Sequence, residues 1–221
     1  MARKVPVFLE PGDRRVVVFG GGPVAYRKCR QFEGFDITVV AEHAVPGMEG
    51  VCSRIILESF DPSDVPGYLN GAFIAVAATS SKELNASIVR SAKSAGVLVN
   101  SAHGGGNVLL PSTVRRGEYT VCVSSEGSVP AFPPYVAEKI DGFLGPEYDA
   151  MLSLLKTIRE GLPSRIPEQP RRAEFLAAVL ADEPIWDSLR DGDADGALAA
   201  ARRIETRYRR RQSTNPLAQS R

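Results

Sequence analysis

His103 precedes Gly104-Gly105-Gly106 and closes the run Val99-Asn100-Ser101-Ala102. An imidazole can take or give a proton near neutral pH, so His103 is a candidate for acid–base work or substrate contact. The glycines after it form a loop whose backbone can approach a ligand closely. A histidine that only holds backbone carbonyls is the plainer alternative. A second glycine group carries different chemistry. Gly20-Gly21-Gly22 follows Val16-Val17-Val18-Phe19 directly, with the spacing Gly20-x-Gly22-x-x-Ala25. Gly20 allows a tight turn, Gly22 lets the backbone approach a pyrophosphate, and Ala25 lets a helix pack close to the strand before it. The pyrophosphate would sit on amides at the helix N-terminus. Glu42, about 20 residues further on, would accept a hydrogen bond from a ribose hydroxyl and disfavour the extra phosphate of NADP. An ordinary turn between strand and helix also uses glycine; the surrounding pattern selects the dinucleotide reading, with NAD as cofactor. Thr79, in Ala78-Thr79-Ser80, would bring polar groups to the same edge. Arg115 and Arg116 could meet a polyanionic ligand, or simply carry solvated charge at a hairpin tip.

The elements that must position these groups follow from apolar patterning. Val16 to Phe19, Ile37 to Val40, Arg54 to Leu57, Phe73 to Ala77 and Val97 to Val99 read as strands. Helical segments run from Val24 to about Phe32 and from Ser81 to Ala95. Leu84, Ile88 and Ala92 mark the apolar stripe of the second, Ser80 with Glu83 forms a capping box, and Gly96 is its stop. Asp61-Pro62 and Pro66-Gly67 allow only a brief helix between. Strands separated by helices predict an α/β fold with a parallel, doubly wound, Rossmann-like sheet over residues 1–110. Such a sheet binds ligands at the carboxyl ends of its strands, where Gly20, Glu42, Thr79 and His103 all fall. Val5 to Leu9 reads as an extended lead-in.

Beyond Asn107 the pattern changes. Val108 to Val114 and Tyr119 to Ser124 read as a β-hairpin turned by Arg115-Arg116-Gly117-Glu118. Two strands alone are marginal, so a second copy in a homodimer is expected to complete the sheet. Helices are predicted over Tyr135 to Phe143, Tyr148 to Glu160, Arg171 to Leu180 and Ala197 to about Arg209. The expected division is 1–110, a dimerisation region at 111–145, a helical region at 146–211 and a disordered tail at 212–221.

A formal net charge of +1 demands neither nucleic acid nor membrane, and no apolar run reaches the roughly 18 residues of a span. The arginines from Arg202 to Arg211 read as a solvated helix face; nucleic-acid binding through them is the minor alternative. Three widely spaced cysteines, Cys29, Cys52 and Cys122, fit reduced thiols, no resident metal site and a cytoplasmic protein.

Together these pieces resemble the precorrin-2 dehydrogenases, the dehydrogenase/ferrochelatase part of siroheme synthase. The resemblance is carried by Val5-Pro6-Val7-Phe8-Leu9, Gly20-Gly21-Gly22-Pro23-Val24-Ala25-Tyr26-Arg27-Lys28, Thr38-Val39-Val40-Ala41 and Ala77-Ala78-Thr79 with Leu84-Asn85. Val99-Asn100, Leu110 to Gly117, Val121 to Ser125 and Arg171 to Phe175 extend it. It implies an NAD-binding domain, a central dimerisation region and NAD-dependent oxidation of precorrin-2 to sirohydrochlorin. Bifunctional members also insert ferrous iron. By position, Pro23, Val24, Ala41 and Glu42 would line the NAD site, and Ser124 and Ser125 would lie near the tetrapyrrole. Two departures stand out. His103 occupies the position of the family's aspartate, where it could accept the proton or orient the substrate. Glu126-Gly127-Ser128-Val129-Pro130 replaces the usual Gly-Gly-x-Ser-Pro. A non-catalytic NAD-sensing module is the alternative from another class.

Overall fold

The computed structural model describes residues 4–210. The chain divides into two compact units, the first ending at Leu110 and the second beginning at Pro111.

The first unit is built on five parallel strands, β1 (Arg15–Phe19), β2 (Asp36–Ala41), β3 (Arg54–Leu57), β4 (Ala72–Ala77) and β5 (Leu98–Ser101), in the order β3-β2-β1-β4-β5. Its helices are α1 (Pro23–Cys29), continued by a 3-10 turn at Arg30–Phe32, then α2 (Val65–Leu69) and α3 (Lys82–Ser94). Alternation within β1 explains why both faces are covered. Val16 and Val18 point to the side where Ala25, Cys29 and Phe32 pack. Val17 and Phe19 point to the side covered by Val65, Leu69, Ile88, Val89 and Ala92. A strand buried on both faces needs an unbroken apolar run, which is what Val16 to Phe19 supplies. The strand order reverses at β1, which has β2 on one side and β4 on the other, so a crevice opens at their carboxyl ends.

The second unit opens with the antiparallel pair β6 (Ser112–Arg116) and β7 (Tyr119–Val123), with Arg116 opposite Tyr119. Helices α4 (Phe132–Phe143), α5 (Pro146–Arg159), α6 (Leu162–Arg165), α7 (Gln169–Leu180), α8 (Glu183–Arg190) and α9 (Ala194–Arg210) follow. The helices from α5 on close around Met151, Ile158, Phe175, Val179, Ile185 and Ala201. Arg165 braces this core: its Nε donates to Glu205 at 2.7 Å and its terminal nitrogens donate to the Ile158 and Glu160 carbonyls.

The parallel sheet stands as read from the sequence, and several local expectations change. The N-cap of α3 is Ser81, whose hydroxyl accepts from the Leu84 amide at 3.1 Å; Ser80 lies one residue too early. The hairpin strands begin at Ser112, not Val108, because Asn107 and Val108 are tied back to Val99. The turn is therefore only Gly117-Glu118, and Arg115 and Arg116 lie on the strand. Helix α4 starts at Phe132, with Pro133 and Pro134 in its first turn, where a missing N–H costs nothing. Helices α6 and α8 were not expected; α8 is capped by Asp182, which accepts from the Ile185 amide. Val5 to Leu9, read as a lead-in, stays outside the sheet, and Val5, Val7 and Phe8 are exposed. The tail at 212–221 lies outside the described residues.

Candidate dinucleotide site

Register fixes the floor of the crevice. Phe19 pairs with Val40 on one side and Ala77 on the other, and Ala77 pairs with Ser101. The residues just past this row are Gly20, Ala41-Glu42, Ala78-Thr79 and Ala102-His103. All eight first-unit positions singled out from the sequence, Gly20, Gly22, Pro23, Val24, Ala41, Glu42, Thr79 and His103, thus share one edge of the sheet.

The three glycines differ in what requires them. Gly20 has φ +116°, and a Cβ on it would stand 2.3 Å from the Ala78 carbonyl oxygen. Its amide donates to Val40 while Ala78 donates to Phe19, so the turn is stitched to both neighbouring strands. A Cβ on Gly21 would be 1.9 Å from the His43 oxygen. Sequence reasoning left Gly21 without a role, although three consecutive glycines were the signal for it. Gly22 has an extended backbone, φ −82°, and a Cβ there would meet nothing within 4 Å. It is the N-cap of α1, has no side-chain cap, and is followed by Pro23. The first-turn amides of Val24 and Ala25 have no intrahelical partner by the geometry of any α-helix. Open space at Gly22 beside such donors is the cradle a pyrophosphate needs, so these residues fit a dinucleotide. Ala25 is fully buried against the sheet, as its small size anticipated.

Glu42 is exposed just past β2, and Ser59 donates to its Oε1 at 2.7 Å. That bond orients the carboxylate and leaves acceptor capacity on both oxygens for ribose hydroxyls. Ala41 is buried, so it shapes the floor and offers no side chain. Val24 is partly exposed beside the glycine turn.

Thr79 is half-buried, and its polar groups are engaged locally. Its amide donates to Asn85 Oδ1 at 3.0 Å, and its hydroxyl lies 2.9 Å from the same oxygen. Asn85 Nδ2 returns a bond to the Thr79 carbonyl at 2.9 Å and lies 2.7 Å from His103 Nδ1. Asn85 is fully buried and joins the ends of β4 and β5 through α3. Nearby, Glu83 sits below the usual carboxylate range, chiefly because its own backbone amide bonds it, then through the Ser81 hydroxyl.

The His103 loop is held to β5 by its neighbours. Asn107 accepts from the Val99 amide and donates its own amide to the Val99 oxygen. A Cβ on Gly106 would be 2.4 Å from that oxygen, so Gly106 serves this close packing and not a ligand approach. Asn100, buried, donates to the Val108 carbonyl and accepts from Lys28 on α1. Burial, more than neighbouring Arg27, lowers the Lys28 ammonium below its ordinary range.

The remaining candidates belong to the second unit. Ser124 is exposed; its hydroxyl oxygen accepts from the Glu126 amide. Ser125 donates to the Val129 carbonyl and accepts from the Val129 amide. Glu126 between them adopts φ 54°, a left-handed conformation that non-glycine residues rarely take. Arg115 is exposed, whereas Arg116 pairs with Asp141 at 2.8 Å and donates to the Asp141 and Leu144 carbonyls at the end of α4. Arg116 therefore closes a helix terminus. Among the described residues no three His, Cys, Asp or Glu side chains converge as a metal site, and no helix is long and apolar enough to cross a membrane.

Comparison with known proteins agrees with this geometry. A family model described as putative NAD(P)-binding matches residues 7–112. A precorrin-2 dehydrogenase from Methanosarcina barkeri is 33% identical over 192 residues, covering 83% of this chain and 85% of that protein. A siroheme synthase from Chromobacterium violaceum is 29% identical over 88% of this chain, which spans only 42% of that longer protein. A siroheme synthase from Aeromonas hydrophila matches in the same way at 27% identity. Among solved structures, SirC, a precorrin-2 dehydrogenase, superposes with a TM-score of 0.66 over 94% of this chain and 100% of its own, at 24% identity, a likeness of fold. The glycine cradle at the strand reversal, and a relative of this identity along most of both chains, place the chain in the precorrin-2 dehydrogenase family.

Proposed function

We propose that this chain catalyses the NAD-dependent oxidation of precorrin-2 to sirohydrochlorin in siroheme biosynthesis. The observation that carries the reading is the open space at Gly22, at the N-cap of α1 and beside the strand reversal, with Glu42 at the end of the next strand. Open space at Gly22 and the amides of Val24 and Ala25 would hold the pyrophosphate, with Pro23 opening the helix beside it, and Glu42 would accept from a ribose hydroxyl. Bound NAD supplies the hydride acceptor. The substrate loses a hydride and a proton, so the reaction balances as one NADH and one proton per sirohydrochlorin. His103 stands at the same sheet edge and contacts the substrate. Within the second unit, Ser124 has one hydroxyl hydrogen left to donate and is better placed than Ser125, which shapes the loop, to meet an anion, with Arg115 exposed on β6.

A homodimer is part of this reading. Two strands make a marginal sheet, and Val129, Phe132, Tyr135 and Phe143 are exposed beside them in sequence. Light scattering should give twice the chain mass of 23.8 kDa. Free cysteines fit a reducing, cytoplasmic setting.

The deciding experiment is an anaerobic incubation of purified protein with precorrin-2 and NAD, followed by absorbance. NADH and sirohydrochlorin should rise together in equal amounts. NAD binding with no turnover and no tetrapyrrole affinity would refute the proposal.

A further inference from the structure

Asn85 decides which proton His103 carries. Its amide cannot be turned over, because both of its ends are read by one residue. Thr79 donates its backbone amide to Asn85 Oδ1 at 3.0 Å and accepts from Nδ2 at its carbonyl at 2.9 Å. Reversing the amide would set N–H against N–H and oxygen against oxygen at a fully buried site. Nδ2 therefore keeps its second hydrogen for His103 Nδ1, 2.7 Å away. A donor facing Nδ1 requires that nitrogen to present its lone pair, and a neutral imidazole has a single hydrogen, which then sits on Nε2. Nε2 takes part in no hydrogen bond among the described residues, and His103 is exposed beside the crevice.

We infer that Asn85 is a positioning residue that locks His103 as the Nε2–H tautomer, so that His103 serves as a hydrogen-bond donor to a carboxylate of the substrate and not as the acceptor of its proton. An Nε2 that already carries hydrogen has no lone pair in the ring plane to take another. For His103 to act as base, the hydrogen would have to move to Nδ1, against the Asn85 N–H. The proton released in the oxidation accordingly passes to water. This inference rests on the proposed oxidation of precorrin-2 for the identity of the carboxylate; the tautomer itself stands on the hydrogen bonds alone.

The test has two arms with separate failures. The chain has two histidines, so 15N-histidine labelling gives two ring systems, assigned with a His43→Gln variant. Long-range proton–nitrogen correlation at about pH 8, above the ordinary imidazole titration, reports the tautomer of the ligand-free protein. His103 should show the Nε2–H pattern, Asn85→Ala should give a mixture, and Asn85→Asp, whose carboxylate accepts from Nδ1–H, should invert it. An Nδ1–H pattern in the unsubstituted protein overturns the inference whatever the enzyme does. In the kinetic arm, His103→Gln keeps an N–H donor but cannot take a proton. It should raise KM for precorrin-2 less than His103→Ala does, for which a rise of about tenfold is expected, the effect of one lost hydrogen bond to a charged group. Loss of kcat by about 100-fold or more in both variants is the signature of a missing base and overturns the donor role. Absence of any turnover in the unsubstituted protein would strike the proposed oxidation, and with it the carboxylate, while leaving the tautomer to the spectrum.

Discussion

Gly20 and Gly22 are two residues apart, yet alanine should do opposite things at each. At Gly22 the backbone is already extended and a Cβ meets nothing within 4 Å, so the fold has room for it. Alanine is a poorer N-cap than glycine by about 0.5–1 kcal/mol. It also restricts the unfolded chain, which returns about 0.4–1 kcal/mol. The two nearly cancel, so Gly22→Ala should unfold within about 0.5 kcal/mol of the parent. The space it fills is where the pyrophosphate must come against the helix amides. Losing one or two charge-assisted hydrogen bonds, about 1.5–3 kcal/mol each, should weaken NAD at least about tenfold. At Gly20 the φ of +116° costs a side-chain-bearing residue about 1–3 kcal/mol. The 2.3 Å approach of a Cβ to the Ala78 oxygen then forces β1 and β4 apart at their ends. A loss of at least about 3 kcal/mol is expected, lowering the melting temperature of this unit by about 12 °C at about 4 °C per kcal/mol. Thermal melts by circular dichroism and calorimetric titration with NAD separate the two. If Gly22→Ala binds NAD as the parent does, the dinucleotide does not lie on α1. If it melts as low as Gly20→Ala, the open space at Gly22 is an incorrect description of the turn.

Two further outcomes follow from groups away from the crevice. Burial, with a smaller contribution from Cys52, pushes the Cys29 thiol up to about 12 from its ordinary 9.0. The stability this thiol contributes is complete below about pH 9 and is lost as the pH rises toward 12, so Cys29→Ala should flatten the alkaline fall of unfolding free energy measured in urea. In the folded protein an alkylating reagent at about pH 8 should label exposed Cys122 and leave Cys29 unmodified until denaturant is added, as read by mass spectrometry. Arg165→Ala should destabilise the second unit by about 2–3 kcal/mol, because it leaves the Glu205 carboxylate, 10% exposed, without its partner. That is less than the 3–5 kcal/mol of a fully enclosed pair, since Arg165 itself is about one-third exposed. A urea midpoint unchanged by Arg165→Ala would show the pair to be ornamental.

The sheet was legible because its signal is local. Val16 to Phe19 is apolar at every position, and only a strand covered on both faces requires that. The glycines after it mark where the chain must turn back over the sheet. The second unit was harder for a physical reason. Its hairpin strands are short and half-exposed, so Val108 and Leu109 read as strand when Asn107 and Val108 in fact bond back to Val99. Helix α8 is eight residues long, and its start signal, Asp182 before Pro184, is as common in loops as in caps. Arg116 looked like a hairpin cation because nothing near it in sequence is acidic except Glu118; its partner, Asp141, is 25 residues away.

The crevice shows the same division between what one residue declares and what only a pair declares. A glycine states its role alone: φ and the distance to the next backbone decide whether a Cβ fits, and neither depends on side-chain chemistry. A histidine states only that it can titrate. Whether His103 offers a proton or a lone pair depends on the group facing Nδ1, and that group, Asn85, arrives from helix α3, 18 residues away. Asn85 in turn is fixed by the backbone of Thr79, so the polarity of the imidazole is set by a peptide group at the end of β4. A carboxylate at position 103 could not be polarised this way, because it has no hydrogen to place at neutral pH and only accepts. Histidine beside a donor amide presents N–H where an aspartate would present oxygen, which reverses the sign of the hydrogen bond offered to an anionic substrate at the same place in the fold.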